Sequence, residues 1–321
     1  DTWLLFHYYG FDFSVWEMYG ALLYGGKLVV PSLEETRDVF AIIRLIKDNQ
    51  ITVLNQVPSA FYALMLGMDK ERIDSLRYLI FGGEMLDPRK LAEWKQYNPQ
   101  VRIINMYGIT ETTVHVTYKE IGDEEIASGI SDIGLPIPTL GIYLLQGEQL
   151  CGVGMPGELC VYGAGLSSGY LNRNELTKEK FVSIPKLTDK MIYRSGDLAR
   201  IQENGSIEYL GRIDQQVKIS GFRIELKEIE NAILKQNQYD IKECVVIDRI
   251  DNGGKRNLFA YLVYQDRVDF SLIKKEIKQV LPSYMIPMYW TTIEKIPITK
   301  NGKLDRNSLP DIETPIMNTF V

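Results

Sequence analysis

Residues 193–225 read YRSGDLARIQENGSIEYLGRIDQQVKISGFRIE, and the chain on either side is best understood from this stretch. A Ser-Gly-Asp turn follows the apolar pair Ile192-Tyr193. Residues 198–201 and 207–210 then alternate around Glu-Asn-Gly-Ser. Asn-Gly between two alternating runs predicts a β-hairpin. Gly-Arg-Ile-Asp leads to a strand-like segment at 217–219 and to a second, basic turn, Ser-Gly-Phe-Arg. Asp197, Arg212 and Asp214 are thus expected at strand ends. Asp and Arg beside Gly are common in solvated turns, so local sequence leaves turn chemistry and a binding site both open.

The stretch lies in a chain of 321 residues, 45% hydrophobic and 24% charged. That length suits two domains, and the composition is that of a soluble globular protein. A net charge of −6 weighs against a nucleic-acid groove, and no apolar run is long enough to cross a membrane. Cys151, Cys160 and Cys244 are odd in number and lack metal-site spacing, which fits a reducing cytoplasm. Two histidines are too few for a histidine-based metal cluster. The opening Asp1-Thr2-Trp3-Leu4-Leu5-Phe6 reads like the middle of a folded unit, so the chain is expected to begin inside a larger domain.

Residues 1–31 are rich in aromatics, and Phe13, Trp16 and Gly20 fall at helical spacing after Phe11-Asp12. Asp12 reads as a helix N-cap, with Ser14 as rival, or as a carboxylate walled by aromatics and suited to a cationic group. Residues 27–31 read as a buried strand. An alternation follows: an amphipathic helix over 38–49, a strand at 52–55, a helix from Pro58 to 66, a strand at 79–81, a helix from Asp87-Pro88 to about 96, and a strand at 102–105. Strands alternating with helices predict right-handed crossovers and a mostly parallel sheet. Such sheets bind ligands beyond the carboxyl ends of their strands. Those ends are Asn55-Gln56, Gly82-Gly83-Glu84 and 106–113, Met-Tyr-Gly-Ile-Thr-Glu-Thr-Thr.

The last segment carries recognisable chemistry. Tyr107 offers a flat face for a base, and Gly108 permits close approach. The Thr110, Thr112 and Thr113 hydroxyls can meet phosphate oxygens, and Glu111 can hold a hard cation such as Mg²⁺. A Thr-rich turn with a capping Glu is the plainer alternative. Residues 136–213 read as a β-rich subdomain. The GAGLSSGY run at 163–170 lacks the Lys of a GxxxxGK[ST] phosphate loop. Beyond Asp214, helices at 226–235 and 272–280 and strands at 241–250, 258–264 and 288–293 predict a compact α+β unit. In the tail, Asn301-Gly302 is read as a turn presenting Lys303.

In this order the pieces resemble the adenylation domains of nonribosomal peptide synthetases, in the wider acyl-adenylate-forming superfamily. The matching stretches are FDFSVWEMYGALLYGG (11–26), NMYGITETT (105–113), GELCVYGAGLSSGYLNRNELTKEKF (157–181), YRSGDLAR (193–200), GRIDQQVKISGFRIE (211–225), LPSYMIP (281–287) and NGKLDR (301–306). They span nearly the whole chain. The resemblance implies an α/β protein: residues 1–213 as part of a large domain, a mostly parallel sheet with a β-rich subdomain, and 214–321 as a small mobile α+β domain across a hinge. It implies ATP-dependent conversion of an amino acid to an aminoacyl-adenylate, then transfer to a phosphopantetheine thiol on a peptidyl carrier domain. A condensation domain of the same synthetase would be the further partner. An acyl-CoA or aryl-acid ligase of the superfamily and a non-catalytic scaffold are the alternatives. Asp12 argues against the former, because aryl and fatty acids carry no ammonium.

Residue by residue, the resemblance implies that Gly83 and Tyr107 frame adenine. Thr110 would contact phosphate, Glu111 would hold Mg²⁺, and Asp197 would accept from the ribose hydroxyls. Arg212 would lie beside ribose and phosphates, Asp214 would be the hinge, and Lys303 would reach the reacting carboxylate. Asp12 would pair with the substrate ammonium. The remaining pocket positions are Phe13, Trp16, Asn55, Ile80, Gly82, Met106, Val114 and His115. With Asp12 and Lys303 they are similar to the family's threonine pocket. The family's Pro-Lys-Gly phosphate loop would lie before residue 1, and its carrier Gly-Gly-x-Ser site after residue 321. Ile109 stands where the family usually has Pro. The chain is therefore expected to be a partial domain, weakly active alone.

Overall fold

The structure, a computed structural model, describes residues 1–68, 70–214, 216–236, 241–264, 269–298 and 304–312. Its contacts divide the chain into two compact units, Asp1–Asp214 and Gln215–Val321.

In the first unit the predicted alternation forms a parallel array. Its strands are β1 (Thr2–Leu4), β2 (Lys27–Val29), β3 (Val53–Gln56), β4 (Tyr78–Phe81) and β5 (Arg102–Asn105), hydrogen-bonded in the order β2-β1-β3-β4-β5. The helices between them are α1 (Asp12–Leu22), α2 (Val39–Asp48), α3 (Pro58–Met68) and α4 (Ala92–Tyr97). Local chemistry explains their boundaries. The Asp38 carboxylate accepts from the Phe40 amide at 2.8 Å and caps α2, satisfying a donor that the helix leaves open. Ile42, Ile43 and Ile46 face inward and join Leu54, Phe61, Leu79 and Phe81 in the main core. Each such burial contributes about 1.5–3 kcal/mol.

Two boundaries differ from the sequence reading. Phe11, not Asp12 or Ser14, is the N-cap residue of α1; Asp12 is the first helical residue and makes no capping hydrogen bond, while the Ser14 hydroxyl donates to the Phe11 carbonyl at 2.7 Å. The segment at 27–31 yields a three-residue edge strand with only Val29 buried, because nothing pairs with its outer side among the described residues.

The β-rich region begins earlier than expected and is continuous with the parallel array. The strands β6 (Thr117–Ile121) and β7 (Asp132–Pro136) were not foreseen, and neither was the helix α5 (Asp123–Ser128) between them. They connect β5 to β8 (Leu140–Gln146), β9 (Gln149–Leu150), β10 (Gly157–Gly163), β11 (Phe181–Ser183), β12 (Met191–Ile201) and β13 (Ile207–Arg212). Among the described residues these thirteen strands form one sheet, twelve of them along a single hydrogen-bonded path with β11 branching from β12, antiparallel from β5 onward.

The expected Ser195-Gly196-Asp197 turn is absent. Met191–Ile201 is a single eleven-residue strand, with Gly196 at φ +72° inside it. Arg194 pairs with Cys160 and Leu198 with Glu158 of β10, so Ser195–Asp197 form a bulge held in register by the pairs before and after it. Asp197 therefore lies within a strand, directly opposite Arg212.

The second unit pairs β14 (Val217–Ile219) with β15 (Phe222–Ile224). The expected Ser-Gly-Phe-Arg turn is thus only Ser220-Gly221, with φ of +52° and +80°, and Phe222 and Arg223 belong to a strand. A three-stranded sheet of β16 (Ile241–Ile250), β17 (Arg256–Tyr264) and β18 (Tyr289–Ile293) carries the helices α7 (Leu226–Leu234) and α8 (Phe270–Ile277), once the short α6 (Asn174–Lys180) of the first unit is counted. Ile229, Ile233, Val246, Leu262, Ile273 and Ile277 are among its core residues. Lys303 and the Asn301-Gly302 turn lie outside the described residues.

Candidate functional site

The carboxyl ends of β3, β4 and β5 and the start of α1 bring most of the predicted pocket residues together. Trp16 packs with Ile80 and Met106 in one apolar cluster. Its indole Nε1 donates to Asn55 Oδ1 at 3.0 Å. The His115 ring stands edge-on to Trp16 at 4.9 Å and to Phe13 at 5.2 Å between centroids. A Cβ on Gly82 would lie 3.2 Å from the Phe13 ring and 3.4 Å from His115, so that wall admits little more than glycine. Asp12 sits beside Phe13 at the helix start, half-buried, where the helix N-terminus favours a carboxylate.

Val114 and His115 arrive through an unusual backbone. Thr113 and Val114 have φ of +65° and +66°, and the Val114 carbonyl folds back against Gly108. A Cβ on Gly108 would fall 1.8 Å from that oxygen. Gly108 is therefore needed for close backbone packing, more specific than the ligand approach read from sequence.

Polar groups in this cluster are left without partners. Asn55 Nδ2 and both His115 ring nitrogens are buried with no hydrogen bond among the described residues. Burial, reinforced by nearby His7, lowers the His115 pKa to about 3, so the ring is neutral near pH 7, with one donor and one acceptor nitrogen. A buried polar group without a partner costs about 1–3 kcal/mol, which a ligand hydroxyl would relieve.

His7 and Glu17 were missed at the sequence level. The Glu17 carboxylate is fully buried on α1. It accepts from the His7 backbone amide at 3.1 Å and lies 2.9 Å from His7 Nδ1. The His7 ring stacks on Phe13, 4.3 Å between centroids at 21°. An acidic residue directly after Trp16 in an aromatic-rich run was the available signal.

A second group of side chains forms around Asp197. Tyr107 donates to its Oδ2 at 2.5 Å and Tyr209 to its Oδ1 at 3.1 Å. Arg212 Nη1 donates to Oδ1 at 3.2 Å and to the Ser195 carbonyl at 2.7 Å. Asp197 is fully buried, and Arg212 nearly so. Arg212 also forks onto Asp214, at 2.9 and 2.5 Å. Burial first, then the Asp197 charge, raises the Tyr107 and Tyr209 pKa values, so both stay hydroxyl donors. The Tyr107 ring is buried, tilted against Tyr209 at 5.8 Å.

Glu111 is buried on a short 3₁₀ turn, Thr110–Thr112, and accepts from the Tyr170 hydroxyl at 2.6 Å. Its backbone carbonyl accepts from the Ser167 amide at 2.9 Å, tying the Gly/Ser-rich loop to the turn. Two of the three threonines serve the protein: Thr112 donates to the Ile109 carbonyl at 3.0 Å and Thr113 to that of Gly165 at 2.7 Å. Thr110 stays exposed, and Gly83 follows β4 half-buried. Among the described residues no three His, Cys, Asp or Glu side chains cluster as a metal site, and no helix is long and apolar enough to cross a membrane.

Comparison with known proteins gives a consistent picture. The family described as AMP-binding enzyme matches residues 1–171. A plipastatin synthase protein of Bacillus subtilis (strain 168) is 50% identical over 98% of this chain, which spans 12% of that protein. A solved nonribosomal peptide synthetase protein containing adenylation and PCP domains, bound to a vinylsulfonamide inhibitor, superposes with a TM-score of 0.84 at 28% identity, covering 95% of this chain and 52% of its own. The Vibrio cholerae adenylation domain AlmE, in complex with glycyl-adenosine-5'-phosphate, superposes with a TM-score of 0.81 at 27% identity, covering 95% and 57%.

Proposed function

This chain belongs to the AMP-binding enzyme family, among the adenylation domains of nonribosomal peptide synthetases, and we propose that it activates an amino acid, L-threonine, with ATP and passes it to a carrier-bound phosphopantetheine thiol. The observation that carries the substrate reading is the set of unpartnered buried atoms, Asn55 Nδ2 and the His115 nitrogens, inside a wall of Phe13, Trp16, Ile80 and Met106. A hydroxyl pairs with Asn55 Nδ2 and one of the two His115 nitrogens, and Ile80 and Val114 offer apolar contact to a methyl. Asp12 takes the ammonium. A site built to pair a hydroxyl rejects analogues that lack it strongly, whereas serine differs by one methyl, about 1–3 kcal/mol.

In this reading the substrate carboxylate attacks the α-phosphorus and pyrophosphate leaves. Catalysis is then mainly positioning and charge neutralisation. Arg212 and Asp197 serve the ribose and phosphates, Gly83 and Tyr107 frame the base, and Thr110 contacts phosphate. Lys303 would offset charge at the reacting oxygens, and Asp214 would act as the hinge. Glu111 suits Mg²⁺, which is commonly held by one or two carboxylates plus phosphate oxygens and would neutralise the phosphates when bound. The AlmE complex, with its glycyl-adenylate, supports an aminoacyl-adenylate product. The PCP domain in the solved relative supports a carrier partner; a condensation domain is the further partner proposed.

Amino-acid-dependent ATP–pyrophosphate exchange, measured on the full-length protein that carries this chain, tests the proposal. Threonine is expected to give the fastest exchange. Faster exchange with valine or phenylalanine overturns the substrate reading.

A further inference from the structure

We propose that His7, oriented by Glu17, is a further specificity-determining residue of the amino-acid pocket, its Nε2 hydrogen bonding the substrate hydroxyl alongside His115. The inference rests on the reading of a hydroxyl-bearing amino acid as substrate.

The Glu17 carboxylate is fully buried. A carboxylate in that position needs a partner, and the partner is His7, held through both its backbone amide and Nδ1. A carboxylate only accepts, so Nδ1 carries the proton. Nε2 is then the ring atom left for a ligand. It is buried and has no hydrogen-bond partner among the described residues. The His7 ring is parallel to Phe13, whose edge meets His115. Both histidines contact the same phenyl ring, and His7 Nε2 and both His115 nitrogens are unsatisfied. A hydroxyl can donate one hydrogen bond and accept another, so it can use one nitrogen of each ring. Glu17 acts through His7 and is a positioning residue: its role is to fix which ring nitrogen is available.

The test compares threonine with valine, its near-isostere lacking the hydroxyl, in the exchange assay on the full-length protein. His7→Phe keeps the stack on Phe13 and removes Nε2. The ratio of threonine to valine kcat/KM is expected to fall about tenfold, the worth of one neutral hydrogen bond. Glu17→Gln retains the side-chain shape while weakening control of the tautomer, and is expected to lower the ratio by a smaller factor with an unchanged KM for ATP. It also keeps the test open if His7→Phe does not fold. Equal losses for threonine and valine in the folded variants would mean that the pair only supports packing, and would overturn the assignment. If the unmutated protein discriminates no hydroxyl amino acid from its analogue, the substrate reading fails and this inference fails with it. Strong wild-type discrimination that survives both substitutions overturns the His7 assignment alone.

Discussion

Asp197 and Arg212 face each other across β12 and β13, and the Arg212 guanidinium joins the Asp197 carboxylate at 3.2 Å in a nearly dry environment. The same guanidinium forks onto Asp214 at the end of the first unit. One arginine therefore links a buried strand residue to the residue where the contacts divide the chain. Asp197→Ala would remove a carboxylate acceptor from the Tyr107 and Tyr209 hydroxyls and would weaken the hold on a buried guanidinium. Breaking a buried pair from one side costs about 3–5 kcal/mol. The urea midpoint of the full-length protein should fall accordingly, and ATP affinity with it; Asp197→Asn should lose less stability.

Gly108 and the Val114 carbonyl are in contact because residue 108 has no side chain. Gly108→Ala would force its Cβ onto that oxygen and push the 113–115 segment outward. A stability loss of about 3 kcal/mol is expected from such overpacking. Threonine-dependent exchange should fall more than ATP binding, because His115 belongs to the displaced segment. Calorimetric melting and ATP titration of the same variant check both outcomes.

His115 should make stability depend on pH. Its folded pKa is lowered to about 3, against about 6.5 in an unfolded chain. Between these values the unfolded state binds a proton that the folded state refuses. Stability is therefore complete above about pH 6.5 and declines as pH falls toward 3, by about 1.4 kcal/mol per pH unit. His115→Phe should flatten that slope in denaturation curves taken from pH 7 to pH 4. An unchanged slope would show that other groups control it.

Tyr170 and Glu111 make a third separable contact, at 2.6 Å. Glu111→Gln removes the charge proposed to hold Mg²⁺ and should cut exchange by about 100-fold or more, the scale of losing one charge-stabilising group. Tyr170→Phe keeps the carboxylate and frees its orientation. It should raise the Mg²⁺ concentration needed for half-maximal exchange with a much smaller effect on the maximal rate. Titrating Mg²⁺ at saturating ATP distinguishes the two variants.

Much of this protein is written in local sequence. The alternation of apolar strands and capped helices over residues 38–105 determines the parallel array, because Asp38, Pro58 and Asp87-Pro88 act within one or two turns of themselves. Asn204-Gly205 determines its hairpin for the same reason. The ordered motifs likewise name Phe13, Trp16, Asn55, Gly82 and His115, which the fold brings into contact. What sequence could not decide depends on partners distant along the chain. Ser195-Gly196-Asp197 would turn if left alone, but strand pairing before and after it makes it a bulge within β12 and sets Asp197 against Arg212. Asp12 looks like a cap until Phe11 takes the position. His7 and Glu17 are inconspicuous in the sequence; only folding buries the carboxylate, and burial is what requires it to find the imidazole. Local propensity chose the elements, and desolvation of polar groups between them chose the site.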